Sequence, residues 1–344
     1  MADRQFASDN QAGMCPEALA ALVEANASGH EPSYGEDRWT GALRERMRTL
    51  FETDAAETFL VFNGTAANSL ALAAICRPFE AVVCHAFSHI ETDEAAAPEF
   101  FTGGAKLLTA DTPAAKLTPE AVEHLATRYE GFHHVKARCL SITQSTELGT
   151  VYSLDEIRAL TAIAHRHGLA VHMDGARFAN AVASLGCSPA DLAWRAGVDV
   201  LSFGATKNGL AVGEAIVFFD GSLAESFAWR VKQTGQLASK MRLVAAPWLA
   251  LLDADVWLRN ARHSNAMARE LAKSLTEVPG VRLMYPVEAN AVFADIPVGV
   301  QAALREKGWR FYTFLGETGC RLMCAWDTTA ETVQAFSRDL AASA

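Results

Sequence analysis

Val171-His172-Met173-Asp174-Gly175-Ala176-Arg177 and Ser202-Phe203-Gly204-Ala205-Thr206-Lys207-Asn208 share one plan: an apolar, strand-like run that ends in a charged group among small residues. Open α/β sheets bind ligands at the carboxyl ends of such strands. A carboxylate and a lysine amine at one sheet edge match the two demands of pyridoxal phosphate (PLP). The carboxylate keeps the pyridine nitrogen protonated as an electron sink, and the amine holds the aldehyde as a Schiff base. Asp174 and Lys207 are the candidates. Ser202 to Thr206 is small and apolar apart from its hydroxyls, so desolvation would lower the pKa of the Lys207 amine and ready it for that bond. No other lysine has this setting.

Outward from these segments, strand-length apolar runs alternate with helical patterns, the signature of parallel βαβ units. The predicted strands cover 59–62, 81–85, 105–110, 138–144, 169–173, 199–203 and 215–219. Ser153 and Glu156 form a capping box for a helix with apolar positions at Leu154, Ile157, Leu160 and Ala164, and Gly168 closes it. Thr118-Pro119 and Ser188-Pro189 read as helix starts. An amphipathic stripe through Trp257, Ala261, Ala268, Leu271 and Leu275 predicts a long linking helix over about 255–278. Beyond it, half-buried strands over 281–285, 291–296 and 320–325 and helices over 301–307 and 330–340 predict a small α+β unit. The expected fold is α/β: a seven-stranded mostly parallel sheet with helices on both faces, plus a small C-terminal α+β domain. The N-terminal segment and large domain would span 1–254, and the small domain 255–344.

Composition sets limits around this reading. The chain has 344 residues, half of them hydrophobic, and a formal net charge of -10 without a basic run. It can bury a large core, and a nucleic-acid backbone is excluded as a partner. No apolar stretch reaches the roughly 18–20 residues of a membrane span, and residues 1–10 are polar, so a cytoplasmic location is expected. The seven cysteines lack CxxC spacing and read as buried free thiols; Cys320 and Cys324 have no second pair to complete a metal site.

Several further motifs, in order, carry a resemblance. They are Ser8-Asp9-Asn10, Tyr34-Gly35-Glu36-Asp37, Asn63-Gly64-Thr65-Ala66-Ala67-Asn68, His89, the Asp174 segment, Lys207 and Arg321. Together they resemble the threonine aldolase and β-eliminating lyase family of fold-type I PLP enzymes, most closely its low-specificity L-threonine aldolase and phenylserine aldolase members. The resemblance implies retro-aldol cleavage of L-threonine, L-allo-threonine and related β-hydroxy-α-amino acids to glycine and an aldehyde, in a homodimer or homotetramer with shared sites. It departs from the wider family at Gln144-Ser145-Thr146-Glu147, where many members carry a Glu-Asn-Thr-His run, and at Gly213-Glu214.

Each remaining site residue carries two readings. Gly64 and Thr65 open a helix after an apolar run, so their N–H groups form an anion cradle for the phosphate, or else a plain strand-to-helix turn with Thr65 as cap. The resemblance tips them to the cofactor and adds Thr206 and Arg242 as phosphate contacts, the latter from a second subunit, as is Tyr34. It makes His89 the histidine stacked on the cofactor ring and His133 the one near the substrate hydroxyl. Arg321 would grip the substrate carboxylate, Arg177 the cofactor or the same carboxylate, and Ser8 would add a hydroxyl. A PLP aminotransferase is the rival function and a non-catalytic PLP-fold module the third.

Overall fold

The computed structural model describes residues 4–343, so the first three residues of the polar 1–10 stretch lie outside it. Seven strands form the main sheet: β1 (Glu57–Val61), β2 (Glu80–His85), β3 (Lys106–Ala110), β4 (Lys136–Thr143), β5 (Ala170–Gly175), β6 (Val200–Phe203) and β7 (Glu214–Phe218). Their order is β1-β7-β6-β5-β4-β2-β3. From β6 to β3 all pairings are parallel, as βαβ alternation predicts. β7 departs from that rhythm and is antiparallel to both β6 and β1. The link from Phe203 to Glu214 is too short for the dozen or more residues that a parallel crossover needs, so the chain turns back on itself.

The helix Leu154–Arg166 carries the predicted capping box, with Ser153 accepting from the Glu156 N–H and Glu156 from the Ser153 N–H. Helix Gly64–Ile75 is almost wholly buried and packs across the sheet. On the other face Phe203 lies edge-on to Trp248 at 5.1 Å and Trp257 at 5.7 Å, all three at most 1% exposed. Each such side chain contributes roughly 1.5–3 kcal/mol by burial, enough to pin the end of β6. The chain therefore leaves the sheet for Lys207 from a rigid point.

A second, antiparallel sheet follows the long helix Val256–Thr276: β8 (Arg282–Leu283), β9 (Ala291–Asp295), β10 (Tyr312–Leu315) and β11 (Gly319–Met323), in order β10-β11-β9-β8. β9 and β11 are buried on both faces rather than half-buried. Val292, Ala294 and Leu322 enter the core under helices, while Phe293 and Met323 pack with Leu148 and Ala115 of the large sheet's loops. β10 was not legible, because its side chains are mostly exposed and give no alternation. The N-terminal segment joins this region: Phe6 is fully buried against Trp309 and Phe336, and its carbonyl accepts from the Met323 N–H. No helix of the described residues is long and apolar enough to cross a membrane.

Candidate active site

A cavity of about 320 Å³ opens at the carboxyl edge of the large sheet, lined among others by Gly64, Thr65, His89, Asp174, Thr206 and Lys207. Backbone packing makes the edge narrow. A Cβ on Gly204 would lie 2.6 Å from the Ala176 Cα and O, so only glycine lets the ends of β5 and β6 come this close.

Asp174 ends β5 in a buried position. Its Oδ2 accepts from Asn68 Nδ2 at 2.8 Å and its Oδ1 from the Ala176 N–H at 2.9 Å. Burial alone would push its pKa up, but the His89 charge, the Ala176 N–H and the Lys207 charge outweigh it and hold the carboxyl below its ordinary value. Asp174 is thus kept ionised. Lys207 sits in the 3-10 turn Thr206–Asn208. Burial, reinforced by Arg177, lowers its amine pKa, and Nζ has no hydrogen-bond partner among the described residues. Glu214 lies behind it and accepts the Ala205 N–H at 2.5 Å and the Thr206 N–H at 3.4 Å, which fixes the turn.

The cap of helix Gly64–Ile75 is Asn63, whose side chain accepts from the Ala66 N–H at 2.9 Å. Thr65 is therefore not the cap, and its hydroxyl and the N–H groups of Gly64 and Thr65 have no partner among the described residues. A Cβ on Gly64 would meet nothing within 4 Å, so open space lies over these donors. Free N–H groups at a helix start that lines the cavity form an anion cradle.

His89 is held from two sides. Its Nδ1 is 2.8 Å from Glu94 Oε1, and its backbone N–H donates to Glu147 Oε1 at 3.0 Å. Asn68 Nδ2 bridges Glu94 (2.9 Å) to Asp174 (2.8 Å), so one amide ties the histidine's partner to the carboxylate of β5. The Glu94 hydrogen bond raises the His89 pKa against the opposing effect of burial. His172, below, has its ring nitrogens 2.9 Å from Ser141 Oγ and 3.0 Å from Ser202 Oγ; burial drops its pKa to about 4, and it is a neutral core residue.

The two arginines differ. Arg177 forms a bidentate pair with the fully buried Asp9 (Nε to Oδ2 2.7 Å, Nη2 to Oδ1 2.9 Å), and Asn290 also donates to Asp9. Nε and Nη2 of its fork are engaged from within the chain, and its charge acts on both Lys207 and Arg321. Arg321 on β11 has only a 3.5 Å bond from Nη2 to the Ala7 carbonyl, flanking Tyr312 and Phe314 rings, and a buried Nε without a partner.

Three other predicted residues are placed elsewhere. His133 precedes β4 in an exposed loop, its ring 4.3 Å from Phe132. β4 has eight residues, so His133 lies on the order of 25 Å from the cavity edge, and the structure does not bring it to the site. Tyr34 is half-exposed under Lys232, and Arg242 donates to the Ala25 and Gly29 carbonyls; neither lines the chain's own cavity. Ser8 stays beside the site: it caps the turn Asp9–Gln11 by accepting from the Asn10 N–H, and Asn10 lines the cavity. Sequence reading missed Asn68, Glu94, Glu147 and Asp9. Asn68 did leave a signal, a lone amide in an otherwise small and apolar helix.

The comparisons with known proteins point the same way. The beta-eliminating lyase family model matches residues 5–298. The low specificity L-threonine aldolase of Pseudomonas aeruginosa is 57% identical over 98% of this chain and 97% of its own, and that of Saccharomyces cerevisiae is 25% identical over 92% and 80%. A solved Leishmania major threonine aldolase superposes with a TM-score of 0.93 at 29% identity, covering 98% of each chain. With this match and this site geometry, the chain belongs to the beta-eliminating lyase family of PLP-dependent enzymes, alongside the threonine aldolases.

Proposed function

We propose that the cavity binds PLP through Lys207 and cleaves β-hydroxy-α-amino acids between Cα and Cβ, releasing an aldehyde and leaving glycine. The observation that carries this reading is that a partnerless, desolvated lysine amine and an ionised, hydrogen-bonded aspartate line one cavity. The donor set fits the cofactor. The free N–H groups of Gly64 and Thr65, with Thr206 beside them, would hold its phosphate, Asp174 its ring nitrogen, His89 its ring face and Lys207 Nζ its aldehyde carbon. Bound there, PLP supplies an electron sink for the pair left on Cα when the Cα–Cβ bond breaks.

The chain's own residues do the rest. Arg321, with an orphaned Nε beside the site, binds the substrate carboxylate and sets the orientation of Cα. Glu94 fixes the Nδ1–H tautomer of His89, which leaves Nε2 to accept the β-hydroxyl proton. Asp174 stays ionised, with its two oxygens held by Asn68 and the Ala176 N–H. Tyr34 and Arg242, outside their own cavity, serve the site of a partner subunit in a homodimer or homotetramer, with Ser8 supporting the substrate side. L-threonine and L-allo-threonine are the substrates that the relatives' names suggest, with phenylserine as a bulkier one. The reading places the enzyme in the cytoplasm, with a large unit over 1–254 and a small one over 255–344.

The test is the visible spectrum of the protein with PLP, followed by addition of L-threonine or L-phenylserine without a keto acid while aldehyde is assayed. A cofactor band and aldehyde release are expected. A band that bleaches without aldehyde would make the protein an aminotransferase, and no band would refute the cofactor assignment.

A further inference from the structure

A second cavity, about 590 Å³, opens at the opposite edge of the large sheet, where β2 and β4 begin and helix Gly64–Ile75 ends. That helix spans roughly 18 Å from the catalytic cradle at its first turn to this cavity at its last. Arg77, Lys136, Arg138 and Arg230 line it against a single carboxylate, Glu80, which is already engaged by the Arg77 N–H at 2.8 Å. Of the four cationic side chains only Arg138 makes a hydrogen bond, from Nη1 to the Gly168 carbonyl at 2.6 Å, and none forms an ion pair among the described residues. Burial, with no anion to offset it, pulls the Arg230 guanidinium below its ordinary pKa.

This arrangement goes against the rest of the molecule. The chain carries ten more acidic than basic charges, yet here four cations converge around a single carboxylate. The carbonyl end of helix Gly64–Ile75 favours a nearby cation, but its partial charge of about half a unit balances one of the four at most. Unpaired cations around a concave, polar space form the complement of a multiply charged anion. We propose that this cavity is a binding site for a small polyanion of the phosphate or polycarboxylate class, separate from the catalytic cavity.

The experiment is calorimetric titration of the PLP-saturated enzyme, whose catalytic phosphate cradle is then filled, with inorganic pyrophosphate and separately with citrate at low salt. Saturable binding of one anion per chain is expected, weakened on the order of tenfold by Arg77→Ala and by Arg230→Ala, and weakened by added potassium chloride. Lys136→Gln, at an exposed position, gives a smaller loss in the same direction without risk to folding. Pyrophosphate alone binding identifies a phosphoryl ligand, and citrate alone a carboxylate one. Absence of saturable binding, or binding undiminished in both arginine variants, overturns the proposal. A changed sedimentation coefficient in Arg230→Ala with unchanged affinity would also overturn it, by assigning the cations to a contact between subunits.

Discussion

Arg177 beside the large sheet and Arg321 on the small one lie close enough for Arg177 to oppose the Arg321 charge, yet their surroundings are opposite. Arg177 is locked to Asp9, which in turn takes a hydrogen bond from Asn290, and the pair's charges cancel in place. Arg321 is half-buried with an orphaned Nε and only aromatic rings and one long carbonyl contact for company. The large-sheet arginine is matched by a carboxylate from within the chain, while the small-sheet arginine is a cation kept in reserve. A buried ion pair stiffens and positions; a desolvated cation with no partner is poised for an external anion. The contrast separates the part of the site built to hold its shape from the part built to receive substrate.

The most severe way to break the large-sheet wall is Lys207→Ala. Turnover should fall by at least about a thousandfold, with the cofactor band lost, and aldehyde release at wild-type rates would refute the site. Next comes Asp9→Asn, which leaves Arg177 buried without its counter-charge. Breaking such a pair costs about 3–5 kcal/mol, read as a lower midpoint in urea. A midpoint close to wild type would mean that Arg177 is as free as Arg321, and the comparison would collapse. Arg321→Ala should sharpen it, with KM for the amino acid rising roughly 30- to 150-fold, the equivalent of about 2–3 kcal/mol of charge-assisted hydrogen bonding, and cofactor affinity little changed. An unaltered KM would move the carboxylate to another cation.

Two predictions concern protons. Burial pushes the Glu147 carboxyl up to about 7, and its Oε2 has no partner. A carboxyl whose folded pKa is raised lends stability below its unfolded pKa near 4.5, and that stability drains away as pH rises through about 7. Glu147→Gln keeps the acceptor for the His89 N–H and removes the titration, so the variant should gain on wild type with rising pH, by on the order of 2–3 kcal/mol at most. Parallel thermal-unfolding curves across pH 5 to 8 would contradict this. The smallest effect is expected for Glu94→Gln. Loss of the carboxylate that raises the His89 pKa should move the acid limb of the rate profile to lower pH, and an unmoved limb would remove His89 from the proton-accepting role.

Where the sequence was legible, the information was local. β5 and β6 could be placed because a continuous apolar run must be a buried strand, and a charge at its end must emerge at the sheet edge. The capping box at Ser153 and Glu156 needed only four consecutive residues, and it is present as read. β7 was found as a strand, but its reversed direction was not, because direction depends on what the ten residues after Phe203 have room to do. Arg321 stood out because a guanidinium in an apolar strand is locally anomalous.

The illegible part of the site consists of pairings between distant residues. Asp9 and Arg177 are 168 positions apart, and Asn68 and Asp174 are 106 apart. Nothing around Arg177 distinguishes a fork filled by Asp9 from one open to substrate, and nothing around His133 reveals that β4 carries it away from the cavity. By itself the sequence determined the alternating strands and helices, the strand ends that carry Asp174 and Lys207, and the helix start at Gly64. These follow from backbone periodicity, turn chemistry and burial within a few residues. Only the tertiary structure decided which charges meet, which arginine is left unpaired and which histidine reaches the cavity. Those outcomes depend on packing between elements far apart in the chain, where one turn or one strand reversal moves a side chain from the site to the opposite edge of the sheet.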